Sequence, residues 1–190
     1  MLRPDSLISH QFEKCYSKIQ LKCRTETERK GKILKPLRVY LDTSVIGGCL
    51  DVEFATDSGR VINAIREKRV IMLLSDLVIA ELARAPEPVL DVLRSLPADA
   101  IETVALTEEA LSLRDAYMAA GIVGVKSIND AGHVALATVA RADAIVSWNF
   151  KHIVRLDKMR AYNRVNLLEG YGILTIVSPM EVTLDDSDEN

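Results

Sequence analysis

From Leu37 onward the chain alternates between short apolar runs and longer segments whose apolar residues recur at helical spacing. Residues 38–41, 70–74, 101–105, 144–148 and 173–177 read as strands, and 70–74 is apolar throughout, as a buried strand is. Residues 58–68, 76–84, 87–95, 107–120, 128–141 and 157–168 read as helices; in the first of these Val61, Ile62 and Ile65 share one face. Strands alternating with helices predict an α/β domain on a largely parallel sheet. There is no internal repeat.

Upstream, Ile8, Phe12, Cys15, Tyr16, Ile19 and Cys23 recur at helical spacing and predict one amphipathic helix in an N-terminal arm. Residues 24–36 are almost wholly polar, end at Pro36, and read as a linker. The expected organisation is therefore an extension over 1–36, an α/β domain over 37–182 and a solvated acidic tail over 183–190, which ends Asp185-Asp186-Ser187-Asp188-Glu189-Asn190. Charge follows the same division. Residues 1–38 hold ten Lys or Arg and four acids, a net +6, whereas 39–190 hold fourteen and twenty-three, a net −9. The basic arm is either an RNA-guiding or partner-binding helix, or an unordered extension from an upstream start codon.

At 190 residues and net charge −3 the chain is long enough for one well-buried core, and it lacks the basic signature of a protein that coats nucleic acid. Cys15, Cys23 and Cys49 are odd in number and have no C-x-x-C spacing, which supports neither a disulfide framework nor a zinc site. No apolar stretch approaches the roughly twenty residues that span a bilayer, and the N-terminus is too polar for a signal-peptide core. A cytoplasmic protein without membrane contact is expected.

The candidate chemistry lies just beyond the apolar runs. Ligands of an open parallel sheet bind outside the carboxyl ends of its strands, so residues placed there tend to meet. Asp42 follows Val39-Tyr40-Leu41, Glu81 sits in the helix after 70–74, Asp130 opens an apolar helix, and Asn149 follows Ala144-Ile145-Val146-Ser147-Trp148. Three carboxylates and a carboxamide gathered there would suit a hard divalent cation such as Mg²⁺ or Mn²⁺.

Each residue also has a plainer role. Asp42 is either a helix N-cap or a metal ligand, and Thr43 or Ser44 could cap in its place. Glu81 could be a surface glutamate paired with Arg84, although apolar Val78, Ile79 and Leu82 around it predict burial and hence a partner. Asp130 completes Ser127-Ile128-Asn129-Asp130, which has the pattern of a capping box. His133, one turn further on the same face, reads as a packed helix residue before it reads as a ligand. The segment Ser147-Trp148-Asn149-Phe150-Lys151-His152 is either a helix start or a cluster that holds phosphate through hydroxyl, ammonium and imidazole.

Asp42-Thr43-Ser44 after a first strand, Glu81 after a second, Asp130 at the head of an Ala-rich helix and Ser147-Trp148-Asn149 after a later strand together resemble the PIN domain family, notably the VapC-like ribonuclease toxins of type II toxin–antitoxin systems. The resemblance covers about residues 38–182. It implies a three-layer α/β/α fold with a small, mostly parallel sheet. It also implies metal-dependent RNA cleavage that leaves a 3′-hydroxyl and a 5′-phosphate, an antitoxin partner, and a homodimer. Asp42, Glu81 and Asp130 would be the first three acidic positions and metal ligands. Asn149 falls on the fourth, with one formal charge fewer than a carboxylate there, so a second cation should bind more weakly. Thr43, Ser44, Ser147, Lys151 and His152 are the candidate substrate contacts.

RNA would need a basic path across an acidic surface, for which Arg155, Lys158, Arg160 and Arg164 are candidates, although they could equally be a solvated helix face. Two rivals remain at this stage. One is a catalytically impaired RNA- or protein-binding module, which Asn149 favours. The other is a phosphohydrolase of small esters, which the missing Asp-x-Asp pair and phosphate loop disfavour.

Overall fold

The structure is a computed structural model that describes residues 35–183. The N-terminal helix and the acidic tail expected from the sequence lie outside the described residues, save Thr183. Five strands, β1 Leu37–Leu41, β2 Val70–Ser75, β3 Ile101–Val104, β4 Ala144–Val146 and β5 Thr175–Val177, form one sheet in the order β3-β2-β1-β4-β5. Every pairing in it is parallel. Seven α-helices flank it among the described residues: α1 Thr43–Gly48, α2 Ala55–Arg66, α3 Asp76–Leu82, α4 Glu87–Arg94, α5 Glu108–Ala119, α6 Ile128–Val139 and α7 Leu156–Leu168.

Successive strand residues point to opposite faces, so a strand buried at consecutive positions must be covered on both. Tyr40 and Leu41 are both 0% exposed, as are Met72 and Leu73. The central strands therefore run inside a three-layer α/β/α core, as the apolar runs predict. Helix α6 is buried continuously from Ala131 to Thr138. Its run of Ala and Gly at 131, 132, 135 and 137 lets it sit close to its neighbours; a Cβ added at Gly132 would meet Leu77 at 3.1 Å.

The strand order positions the site. The chain steps outward from β1 to β2 to β3, then returns to place β4 on the opposite side of β1. The cleft outside β1 and β4 is therefore the point where the winding reverses, which is where sheets of this kind bind ligands. Strand β4 is shorter than the 144–148 run suggests, because Ser147 and Trp148 leave the sheet and turn across the end of β1. The Asp42 N–H still donates to the Val146 carbonyl at 3.1 Å and the Ser147 N–H to the Val177 carbonyl at 3.1 Å, so both segments leave the sheet in fixed register.

Candidate active site

Asp42, Thr43, Ser44, Glu81, Asp130, His133, Trp148 and Asn149 line one open cleft of about 520 Å³. The first three come from the end of β1 and the start of α1, Glu81 from α3, Asp130 and His133 from α6, and the last two from the segment after β4. Residues more than 100 positions apart in sequence thus meet at the reversal point.

Asp42 occupies the N-cap position of α1 with an extended backbone, but its carboxylate caps nothing. Instead it accepts hydrogen bonds from Ser44 Oγ at 2.8 Å and Ser147 Oγ at 2.5 Å on Oδ2, while Thr43 Oγ1 lies 3.1 Å from Oδ1. These hydroxyls are themselves anchored, since Ser44 Oγ accepts the Trp148 N–H at 3.0 Å and Ser147 Oγ the Asn149 N–H at 2.9 Å. Ser147, read from the sequence as a substrate contact, is 0% exposed and orients Asp42. Thr43 and Ser44 line the cleft, but their hydroxyls are likewise committed to carboxylates. Trp148 fixes this segment in turn, donating from Nε1 to Ser58 Oγ at 2.8 Å with its ring 4.5 Å from that of Phe54. Gly48 makes room for that indole, because a Cβ there would lie 2.9 Å from Trp148 Nε1.

Helix α3 is capped by Ser75, whose Oγ accepts the Val78 N–H at 3.2 Å, and Glu81 on this helix pairs with Thr43, Asn129 and His133 rather than with Arg84. Glu81 Oε2 accepts from Thr43 Oγ1 and from His133 Nε2, the latter at 3.2 Å, while Oε1 accepts from Asn129 Nδ2 at 3.3 Å. His133, 2% exposed, is held from behind: its Nδ1 lies 2.9 Å from the Tyr40 hydroxyl, which lies 2.6 Å from Ser75 Oγ. Its Nε2 is also 3.8 Å from Asp42 Oδ1. Burial by itself would raise the Glu81 pKa, but the hydrogen bonds and charge of His133, with Thr43 and Asn129, outweigh it and hold the carboxyl below its ordinary value. Burial likewise opposes the imidazolium of His133, yet Glu81, Asp42 and Asp130 raise its pKa above the ordinary value. Sequence reasoning placed His133 on the right face of α6 but valued it as packing; its spacing of three from Asp130 was the available signal.

Asp130 forms no capping box with Ser127, which makes no side-chain cap at all. A 3₁₀ turn over Val125–Ser127 leads into α6, and the Asp130 carboxylate accepts from Asn149 Nδ2 at 2.8 Å instead. Asn149 Oδ1 accepts the His152 N–H at 2.9 Å. Lys151 is exposed, His152 half-buried, and neither belongs to the cleft lining. The basic path expected along α7 does not form as a unit. Arg155 pairs with Asp157 at 2.6 Å, Lys158 donates to the Ile122 carbonyl, and Arg160 and Arg164 rim a separate apolar groove with Leu156, Met159 and Leu167.

The donor set of the cleft fits a hard divalent cation. One ligand atom each from Asp42, Glu81 and His133 can be chosen so that all lie within 4.8 Å of one another. Asp130 adds a third carboxylate, and none of the lining residues is Lys or Arg.

The sequence matches the family model described as PIN domain over residues 38–151. No curated protein shows significant sequence similarity to the chain. Among solved structures, the chain is similar to one in a crystal structure of VapBC2 from Rickettsia felis bound to a DNA fragment from their promoter. The identity is 14%, the likeness covers 75% of this chain and 98% of that one, and the TM-score is 0.48. No helix among the described residues is long and apolar enough to cross a membrane.

Proposed function

This chain belongs to the PIN domain family, and from that premise we propose that it is a metal-dependent endoribonuclease that hydrolyses RNA phosphodiester bonds as the toxin half of a toxin–antitoxin pair. The observation that carries the catalytic reading is the convergence of Asp42, Glu81 and Asp130 in one open cleft where the sheet order reverses. In this reading those carboxylates supply the negative charge and oxygen ligands for Mg²⁺ or Mn²⁺. The toxin role, the antitoxin and homodimer partners and a cytoplasmic location are carried over by analogy with the family.

The protein's own contribution is orientation and charge. The Ser44 and Ser147 hydroxyls hold the Asp42 carboxylate in one rotamer, and His133, Thr43 and Asn129 do the same for Glu81, so these acidic groups are preorganised before any ligand arrives. With several carboxylates and no Lys or Arg lining the cleft, a polyanion is repelled until that charge is neutralised. The cation, when bound, supplies this neutralisation, polarises the scissile phosphoryl oxygen and acidifies the attacking water. Trp148 forms part of the cleft wall beside the acids.

The test is cleavage of a labelled structured RNA by purified, antitoxin-free protein with Mn²⁺, Mg²⁺ or EDTA, beside an Asp42→Asn variant checked for folding. Cutting that needs the metal and is lost in the variant is expected. A well-folded protein that binds this RNA but cuts it with neither metal would point to a binding module instead.

A further inference from the structure

We propose that the cleft takes a single divalent cation, at its Asp42–Glu81 end, and that the Asn149 carboxamide replaces a second one at Asp130. This rests on the metal-dependent reading above and deepens it. A carboxamide has one accepting and one donating end, and here its orientation is determined by what faces it. Asn149 Oδ1 accepts the His152 N–H at 2.9 Å, so the NH₂ group must face Asp130 Oδ1, 2.8 Å away. Reversing the group would set N–H against N–H on one side and oxygen against carboxylate oxygen on the other. The Asn149 backbone is pinned too, through its N–H to Ser147 Oγ and from there to Asp42 Oδ2.

Asn149 therefore turns its NH₂ group, not its carbonyl oxygen, toward Asp130. What it offers Asp130 is a hydrogen-bond donor. That donor offsets part of the carboxylate's charge, as a bound cation would, and leaves the other oxygen of Asp130 without a partner among the described residues. The nearly isosteric Asn149→Asp variant shows the consequence. It keeps an acceptor for the His152 N–H, but its second oxygen would lie about where Nδ2 does, 2.8 Å from Asp130 Oδ1. Two carboxylate oxygens at that range repel each other unless a cation comes between them.

The experiment is Mn²⁺ titration by isothermal calorimetry of the full-length wild type and of Asn149→Asp, with thermal melting of both in EDTA and in Mn²⁺. We expect one Mn²⁺ per wild-type chain and two per variant chain. The variant should melt below wild type in EDTA and gain more from Mn²⁺. Two Mn²⁺ of similar affinity on wild type would overturn the inference while leaving the metal-dependent reading standing, and so would a folded variant that still takes one. A folded wild type that takes none would overturn that reading itself, and the inference with it.

Discussion

The two ends of the sheet handle acidic residues in opposite ways. At the amino end, Arg38 donates from Nε and a terminal nitrogen to Glu102 at 2.9 and 2.5 Å, and its backbone N–H donates to Asp143 Oδ2 at 2.7 Å. The rest of its guanidinium donates to the carbonyls of Ala140 and Arg141. At the carboxyl end, Asp42, Glu81 and Asp130 meet hydroxyls, amides and an imidazole, and the one lining residue able to carry positive charge is His133. Where the chain uses acids to hold itself together it supplies its own guanidinium. Where it holds them in position without neutralising them, the deficit is a binding capacity kept at some cost to stability.

The contrast breaks most visibly if an acid of the carboxyl end proves structural. Glu81→Gln keeps the shape and the acceptor for His133, so it should cut RNA at least about a hundredfold more slowly, the scale of losing one preorganised electrostatic contact in a site. Its melting temperature in EDTA should fall slightly, since the hydrogen bonds and charge of His133, with Thr43 and Asn129, favour the ionised carboxylate in the folded state. A large fall in melting temperature would show that Glu81 is held for the fold rather than for a ligand.

His133 tests the middle of the comparison. As the buried donor behind Glu81 it should behave like the outer groups that orient metal ligands, whose loss typically weakens metal binding about 10- to 100-fold. His133→Ala should show that loss in Mn²⁺ titrations, and His133→Gln, which keeps an N–H donor, should restore part of it. Equal Mn²⁺ affinity in His133→Ala and wild type would reduce the residue to packing.

The alternation of apolar runs was enough to place all five strands and six of the seven helices of the described residues, because burial on both faces leaves a strand few polar positions. The seventh helix, α1, is six residues long with two glycines at its end, too short for a periodicity to register. Asp42, Glu81 and Asp130 were visible as acids at strand ends and helix starts. What each side chain does there was less so. Ser147 looked like a phosphate contact because a sequence cannot say which hydroxyl is buried, and no capping box forms at Ser127 because its backbone N–H already donates to the Gly124 carbonyl at 2.8 Å. The Ser75–Tyr40–His133 chain joins three elements and leaves no local pattern.

The smallest effect lies at the amino end. Arg38 and Glu102 keep 34% and 47% of their side-chain surface in solvent, so water screens their attraction despite the paired hydrogen bonds. Glu102 raises the Arg38 pKa, with burial opposing it, but the guanidinium is charged at any working pH, so that shift brings no pH dependence of its own. Glu102→Gln should therefore cost under about 1 kcal/mol, a fall of no more than roughly 4 °C in a domain of this size. The difference from wild type should shrink as salt approaches about 1 M, where the screening length drops to about 3 Å. RNA cleavage and Mn²⁺ affinity should be unchanged, because the Arg38–Glu102 pair lies at the other end of the strands from the cleft. A clear loss of Mn²⁺ affinity in this variant would mean that the two ends are coupled through β1, and the division of labour between paired and unpaired acids would fail.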